Sequence, residues 1–212
     1  MPLPDFFVIG APKAGTTALH VALGRHPQLF MSRVKEPKHF LTDGPPPTSG
    51  GPGDAKTYHE YVWRRRDYEG LFSAAPEGTL RGESTPFYLY DHAAQRRIIE
   101  AVPGARMIAL LRDPIDRAHS NWTHLWSAGL EPEGDFLIAC ELEGRRAERG
   151  WAPFWRYLAL GRYGEQLRQL YDVVPSEHVL LLRYRDLRER PVETLDEIFT
   201  FLGVEPGLVA EV

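Results

Sequence analysis

Residues 6–23 read FFVIGAPKAGTTALHVAL and contain a strand, a loop and a helix in that order. The segment from Phe6 to Ile9 is short, apolar and partly β-branched, which predicts a buried strand of a parallel sheet. Apolar residues then recur at helical spacing from Thr16 to Arg25, and His26-Pro27 ends the helix. The loop at residues 10–15 therefore joins a buried strand to the N-terminus of a helix.

The rest of the chain alternates between strand-like and helix-like segments. Further strands are predicted at residues 29–31, 79–83, 106–111 and 178–183, and helices at residues 58–72, 93–102, 115–126, 136–149, 163–171 and 191–202. Such alternation predicts an α/β fold around a mostly parallel, five-stranded sheet. No internal repeat or second core is apparent, so we expect residues 1–212 to form a single domain.

The composition restricts the class of protein. A length of 212 residues and a hydrophobic fraction of 43% suit one domain with one substantial core. The net charge of −4 does not favour a nucleic-acid-binding protein, so an anion site needs a local group of cations and backbone N–H groups. The single cysteine, Cys140, has no partner for an internal disulfide, and the short apolar run near Met1 predicts neither a signal peptide nor a membrane span. We therefore expect a cytoplasmic protein without membrane association.

One long segment has the composition of a loop. Residues 42–55 read TDGPPPTSGGPGDA and offer no large apolar side chain that would anchor them to a core. This predicts a mobile loop over about residues 42–56. Two interpretations stay open, a surface insertion and a lid over a substrate.

The loop after the first strand has the chemistry of a phosphate site. A helix N-terminus presents unpaired N–H groups and a partial positive charge, both of which favour a bound phosphate. Gly15 allows close approach of the backbone, the hydroxyls of Thr16 and Thr17 can donate to phosphate oxygens, and Lys13 adds a full positive charge. The simpler alternative is an ordinary strand-to-helix turn in which Thr16 is only a capping residue.

The position of the lysine separates two nucleotide-binding classes. In a Walker A loop the lysine follows the second glycine directly. Here Gly10 and Gly15 have the Walker spacing, but Thr16 occupies the lysine position and Lys13 lies two residues before Gly15. The best strand, residues 106–111, also ends in Arg112 rather than in a carboxylate. A magnesium-dependent kinase or NTPase remains an alternative with little support.

The run Pro12-Lys13-Ala14-Gly15-Thr16-Thr17 resembles the 5'-phosphosulfate-binding loop of the sulfotransferases, which use 3'-phosphoadenosine-5'-phosphosulfate (PAPS). The second half of their signature is an Arg after a later strand and a Ser eight residues on, both binding the 3'-phosphate. Arg112 and Ser120 match that arrangement. The resemblance implies a P-loop-like three-layer fold, a PAPS donor and no metal. It implies cofactor binding by Pro12, Lys13, Ala14, Gly15, Thr16, Thr17, Arg112, Ser120 and Tyr163, the last near the adenine.

Two further segments are similar to the carbohydrate-type sulfotransferases, which include the heparan sulfate group and bacterial relatives. Residues 35–40, KEPKHF, resemble the segment that carries their catalytic base, which implies Glu36 as the base and His39 as the alternative. Residues 82–88, GESTPFY, resemble a segment that lines their acceptor cleft, although Ser84 stands where they have a lysine. Those relatives continue with a basic, glycine-containing loop, whereas this sequence ends at Val212, which indicates a shortened domain or a truncated chain.

The resemblance implies transfer of a sulfuryl group from PAPS to a hydroxyl or amine of a carbohydrate or small metabolite, with Lys13 and Glu36 as catalytic residues. A catalytically inactive nucleotide-binding scaffold is a second alternative to the enzyme. Aromatic side chains are candidates for the acceptor site, and an arginine run at residues 64–66 is a candidate for binding an acidic polysaccharide. The aromatic candidates are Trp122, Trp126, Trp151 and Trp155.

Overall fold

The computed structural model describes residues 3–209 of the chain. Its sheet has five strands, all parallel, in the order β2-β3-β1-β4-β5. The predicted α/β fold with a five-stranded sheet is confirmed, whereas the expectation attached to the chain end at Val212 lies outside the described residues. The strands are β1 (Phe6–Gly10), β2 (Leu29–Met31), β3 (Leu80–Ser84), β4 (Arg106–Leu111) and β5 (Val179–Arg183).

Helices connect and cover these strands. Short 3-10 turns lie at His39–Leu41, Pro86–Leu89, Pro153–Trp155, Ala159–Gly161 and Ser176–His178. The α-helices of residues 3–209 are α1 (Thr16–Leu23), α2 (Asp54–His59), α3 (Arg65–Gly70), α4 (His92–Ala101), α5 (Pro114–Ser127), α6 (Phe136–Glu141), α7 (Glu143–Glu148), α8 (Tyr163–Tyr171), α9 (Tyr184–Glu189) and α10 (Pro191–Leu202).

The central strand β1 organises the core, because successive side chains of a strand point to opposite faces of the sheet. Phe6 and Val8 pack into one buried cluster together with apolar side chains of α1, α9 and α10. Phe7 and Ile9 pack into another cluster together with side chains of α3, α4 and α8. Helices therefore cover both faces of the sheet, which gives the predicted three layers.

A third apolar cluster lies apart from the sheet and was not apparent from the sequence. It is formed by helical segments of α2, α5 and α6 and by the turn at residues 152–157. Trp155 and Tyr157 are fully buried in it. Its members are far apart in the sequence, so no periodic pattern indicates that they belong together.

The single helix predicted over residues 58–72 is wrong in its middle. Helix α2 ends at His59, and α3 begins only at Arg65. Between them, the Val62 N–H donates to the carbonyl oxygen of Pro37 at 2.9 Å, and the Val62 carbonyl oxygen accepts from His39 Nδ1 at 2.9 Å. The helix stops because the segment after β2 uses the backbone groups that a helix would need.

The end of the proline- and glycine-rich segment is fastened by a carboxylate rather than by an apolar side chain. Asp54 is buried and accepts hydrogen bonds from Gly51 N at 2.6 Å, Ala152 N at 2.8 Å and Trp155 Nε1 at 2.9 Å. Because this anchor is polar, the absence of large apolar side chains in the segment did not reveal it. The mobility of residues 42–56 stays a prediction.

The strand order fixes where a ligand can bind. From β1 the chain first builds β2 and β3 on one side, and then β4 and β5 on the other. Strands β1 and β4 are therefore neighbours whose following connections separate, which opens a crevice at their carboxyl ends. The loop at residues 10–15 and Arg112 both lie at this point.

Candidate active site

The loop between β1 and α1 leaves its helix N-terminus available to a ligand. Gly15 is the N-cap, with φ +86°, and no side chain caps the helix or places an acidic group in its first turn. A Cβ at Gly15 would also lie 2.8 Å from the Tyr184 ring. The position therefore requires glycine for its backbone conformation and for the space beside Tyr184. The free N–H groups are suited to an anion.

A cleft of about 480 Å³ opens beside this loop. Lys13, Glu36 and Ser120, predicted from three separate segments, all line it. Ala14 is buried and belongs to the core beneath the loop. The loop residues that line the cleft are Pro12, Lys13, Gly15, Thr16 and Thr17.

Arg112 and Tyr163 line a second cavity of about 520 Å³. Arg112 Nη1 donates to the Lys13 carbonyl oxygen at 3.3 Å, and the guanidinium lies 5.2 Å from the centre of the Tyr184 ring. The loop thus lies between the two cavities. Ser120 and Arg112, predicted as one phosphate-binding pair, lie in neighbouring cavities rather than in the same one. The second cavity is rich in arginine, with Arg112, Arg183, Arg185 and Arg188 in its walls.

Cations dominate the electrostatics of the loop. Within residues 3–209, neither Lys13 nor Arg112 has a carboxylate within 4.0 Å. Burial lowers the pKa of Lys13, the charge of Arg112 lowers it further, and Glu36 raises it. An anion bound between Lys13 and Arg112 would relieve the repulsion between the two cations.

Glu36 is held at the cleft by its backbone and by two lysines. Its N–H donates to the Ser84 carbonyl oxygen at 2.9 Å, Lys35 Nζ lies 2.6 Å from Oε1, and Lys38 Nζ lies 4.0 Å from Oε2. Among residues 3–209, the non-glycine residues with positive φ are Lys13 at 67°, Glu36 at 60° and Lys38 at 59°. All three line the cleft. Such strain is typical of functional sites.

His124 is a cleft residue that lies outside the motifs found in the sequence. It lies on α5 four residues after Ser120, and the two side chains share one face of the helix. Burial and then the charge of Lys13 lower the pKa of His124, and Glu36 raises it. Its spacing from Ser120 was the available signal, because residues four apart lie on the same face of a helix.

Comparison with known families decides the class of this site. Residues 79–211 match the model of the sulfotransferase domain. The chain belongs to the sulfotransferase family. The match includes Glu83, Arg112, Ser120 and Tyr163, and the loop at residues 10–17 lies outside it.

Relatives of known class agree with this assignment. The mouse bifunctional heparan sulfate N-deacetylase/N-sulfotransferase 4 is 29% identical, over 96% of this chain but only 23% of its own length. The chain therefore spans about a quarter of that relative. A crystal structure of a sulfotransferase from Alicyclobacillus acidocaldarius is 29% identical, with a TM-score of 0.91 over 100% of this chain and 87% of that one. A mouse sulfotransferase solved with PAP, SULT7A1, shares the fold at 16% identity, with a TM-score of 0.55 over 95% of this chain and 60% of its own.

Several candidates from the sequence lie away from the cleft of this sulfotransferase domain. The His39 ring stacks on Tyr68 with centroids 4.1 Å apart and does not line the cleft. The four candidate tryptophans and the arginines at residues 64–66 are absent from the cleft lining as well. Trp155 is buried in the third cluster, and Trp126 stacks on Trp122 at the surface of α5.

The segment after β3 places polar groups beneath the cleft. Ser84, in the position where relatives have a lysine, is fully buried and its Oγ lies 2.9 Å from His20 Nδ1. Glu83 is also fully buried, and burial raises its pKa to about 8. The nearby hydroxyls of Tyr88, Tyr68 and Thr85 oppose that rise.

Two other kinds of feature are absent from residues 3–209. No group of three or more His, Cys, Asp or Glu side chains there is arranged to hold a metal ion. No helix in the same range combines the length and the apolar character needed to cross a membrane.

Proposed function

We propose that this sulfotransferase domain transfers a sulfuryl group from PAPS to a hydroxyl or amine of a carbohydrate or small metabolite. The observation that carries the proposal is that Lys13, Glu36 and Ser120 line one cleft at the carboxyl end of β1, with Arg112 in contact with the loop. Family membership supports the reaction class, and the PAP complex of the mouse enzyme with the same fold supports the donor.

The residues present fit a donor with two anionic ends. The free N–H groups of α1, the hydroxyls of Thr16 and Thr17, and Lys13 suit the 5'-phosphosulfate. Arg112, in the wall of the second cavity, suits the 3'-phosphate, because a guanidinium binds phosphate through two parallel hydrogen bonds. Arg183 and Arg185 of the same cavity are paired with Asp186 and Glu189. Ser120, at the side of the cleft, and Tyr163, in the wall of the second cavity, complete the proposed donor site.

Lys13 has an electrostatic task in this reaction. Bound PAPS supplies the sulfuryl group and a leaving nucleotide whose bridging oxygen gains negative charge. Lys13 Nζ would neutralise that charge, and Arg112 would hold the loop by its hydrogen bond to the Lys13 carbonyl oxygen. One such preorganised contact is worth roughly 10²–10³ in rate.

Glu36 is the proposed general base. Its carboxylate lies in the cleft, held by Lys35, and would take the proton of the acceptor hydroxyl. His124 is a second candidate, since its lowered pKa favours the neutral ring that can accept a proton. His39 is disfavoured as the base because its ring stacks on Tyr68 outside the cleft lining.

The proposal also covers the metal and the location. Transfer without a metal is supported by the positive charge that Lys13, the arginines and the helix N-terminus already provide. An excess of chelator should leave the rate of transfer unchanged. A rate that is lost with chelator and restored by Mg²⁺ would favour the kinase alternative. A cytoplasmic location is supported only by the single cysteine, and cell fractionation would test it.

Binding measurements test the donor assignment. Calorimetry should show that PAP binds more tightly than ATP. Arg112→Ala should lower the affinity for PAP by about tenfold or more, as expected for loss of a charged hydrogen bond worth about 1.5–3 kcal/mol. Arg168→Ala, in the last turn of α8 and absent from the walls of both cavities, is the matched control. Tighter binding of ATP would favour the kinase, and PAP binding without transfer to any acceptor would favour the inactive scaffold.

A further inference from the structure

Part of the cleft lining is apolar. We call this surface the apolar wall, and its members come from five separate segments. Phe154 is its centre, because its ring contacts Phe87 edge-to-face at 5.7 Å and 81°, and His124 at 5.7 Å and 65°. The wall consists of Pro52, Pro86, Phe87, Leu125, Leu130 and Phe154.

The charged side chains that line the cleft are already engaged or assigned. Asp54 is buried and accepts three hydrogen bonds from neighbouring segments. The Lys38 side chain is 8% exposed, its Nζ lies 4.0 Å from Glu36 and 3.8 Å from Glu60, and it lies over the Tyr61 ring. Glu36 is paired with Lys35, and Lys13 belongs to the donor loop and is assigned to the donor. No cation of the lining is therefore left to pair with an anionic acceptor.

The arginine run at residues 64–66 does not change this balance. Arg65 pairs with Glu69, and the Arg64 guanidinium lies over the neighbouring Trp63 ring. None of the three arginines lines the cleft. An acidic polysaccharide would therefore meet an apolar surface rather than a row of cations.

We infer that the acceptor is a small uncharged alcohol whose aromatic or alkyl body packs on the apolar wall while its hydroxyl reaches Glu36. The inference rests on the proposed function and narrows its acceptor. Transfer of apolar surface out of water is favourable, whereas a carboxylate or sulfate buried there loses its hydration without gaining a partner. In the reaction, the hydroxyl oxygen of the acceptor attacks the sulfur of PAPS, and the hydroxyl proton goes to Glu36. The bond from sulfur to the bridging oxygen breaks, and PAP leaves with that electron pair.

Two acceptors of the same shape test this directly. The full chain is assayed with PAPS and 4-methylbenzyl alcohol, and with 4-(hydroxymethyl)benzoate, which differs by one carboxylate. An unsulfated uronate-containing oligosaccharide is the third acceptor. We expect kcat/KM for the uncharged alcohol to exceed that of either anion by at least tenfold. An equal or faster rate with either anion overturns the inference and leaves the proposed sulfuryl transfer intact.

A pair of variants on α2 tests whether the wall sets this preference. Thr57 lines the cleft, whereas Ala55 is exposed on the same helix and does not. Thr57→Arg adds a cation beside the wall and should reduce the preference for the uncharged alcohol by threefold or more. Ala55→Arg adds the same charge nearby and should leave the preference within twofold. An equal effect of both variants would show that net charge, not the wall, decides the preference.

Ligand-observed NMR on the PAP-saturated protein decides the inference independently of turnover. Preferential binding of 4-methylbenzyl alcohol over its benzoate partner supports it, and equal or reversed binding overturns it. If PAP does not bind, the proposed function fails, and the same NMR comparison without PAP still reports the preference of the wall. Failure of the donor and failure of the acceptor class are thereby distinguished.

Discussion

The donor side and the acceptor side of the site are built in different ways. The donor side consists of the loop at residues 10–17, together with Arg112 and Ser120, each directly after a strand or on the helix that follows it. The apolar wall consists of single residues from segments spread between Pro52 and Phe154. Short sequence patterns therefore define the donor side, whereas only tertiary packing defines the acceptor side. The resemblance found in the sequence rests on the first, and we expect acceptor choice to follow the second.

The largest expected effect is on Glu36, which lies where the two sides meet. Glu36→Gln removes the proposed proton acceptor and keeps the shape of the side chain, so kcat should fall by roughly 10²–10⁴-fold. PAP affinity should change less than threefold, because Glu36 lies outside the donor loop. Initial rates and calorimetry on the same preparation measure both quantities.

His124→Gln is the companion to that experiment. If Glu36 is the base, His124→Gln should lower kcat by less than tenfold, since its ring contacts Phe154 of the wall. A near-wild-type rate for Glu36→Gln together with a large loss for His124→Gln would transfer the role of base to His124.

The elements that could be predicted from the sequence follow the same division between local patterns and tertiary packing. Strand β4 and helices α8 and α10 were predicted with the bounds that the structure has, because each is a continuous amphipathic or apolar run between clear breakers. The helix over residues 58–72 was wrong because it is interrupted where the Val62 N–H donates to the Pro37 carbonyl oxygen and the Val62 carbonyl oxygen accepts from His39. Long-range contacts of this kind leave no local pattern.

The site shows the same contrast. Lys13, Glu36 and Ser120 were found through short motifs, and the fold brings them to one cleft. The tryptophans were chosen by residue type alone, and they pack elsewhere, whereas Phe87 and Phe154 form the wall. Aromatic composition does not say which ring faces a cavity, because that depends on segments distant in the sequence.

A second prediction breaks the acceptor side without touching the donor side. Asp54→Ala leaves the buried N–H groups of Ala152 and Trp155 and the half-buried N–H of Gly51 without an acceptor, and we expect the free energy of unfolding to fall by about 2–4 kcal/mol. Because Asp54 joins Pro52 and Gly53 to the turn at Trp155, KM for the acceptor should rise while PAP affinity stays within twofold. Denaturant unfolding and steady-state kinetics measure these effects.

The control for Asp54 lies in the same segment. Asp43 is exposed, and Asp43→Ala should change the free energy of unfolding by less than 0.5 kcal/mol, as is usual for surface substitutions. If PAP affinity in Asp54→Ala falls by as large a factor as the acceptor KM rises, the two sides are not independent.

The smallest expected effect is a pH dependence of the free energy of unfolding, and it concerns the buried carboxyl group of Glu83 beneath the cleft. Burial raises the pKa of Glu83 to about 8, well above the usual 4.5 of a glutamate, so the folded state holds a proton that the unfolded state releases between those values. Its contribution to stability is fully present below pH 4.5 and is lost as the pH rises towards 8. The free energy of unfolding should therefore fall by up to about 1.4 kcal/mol per pH unit across that range.

Glu83→Gln isolates this contribution, because the amide is close in shape and does not ionise. The variant should lose the downward slope between pH 5 and 8, with denaturant unfolding at several pH values as the measurement. Thr85 and Tyr88, beside Glu83, accept hydrogen bonds from Lys38 N and Phe40 N, so ionisation of Glu83 should also loosen the segment that carries Glu36. The wild-type acceptor KM should then rise between pH 7 and 9 while PAP affinity does not. Identical slopes in the wild type and Glu83→Gln would place the proton on another group.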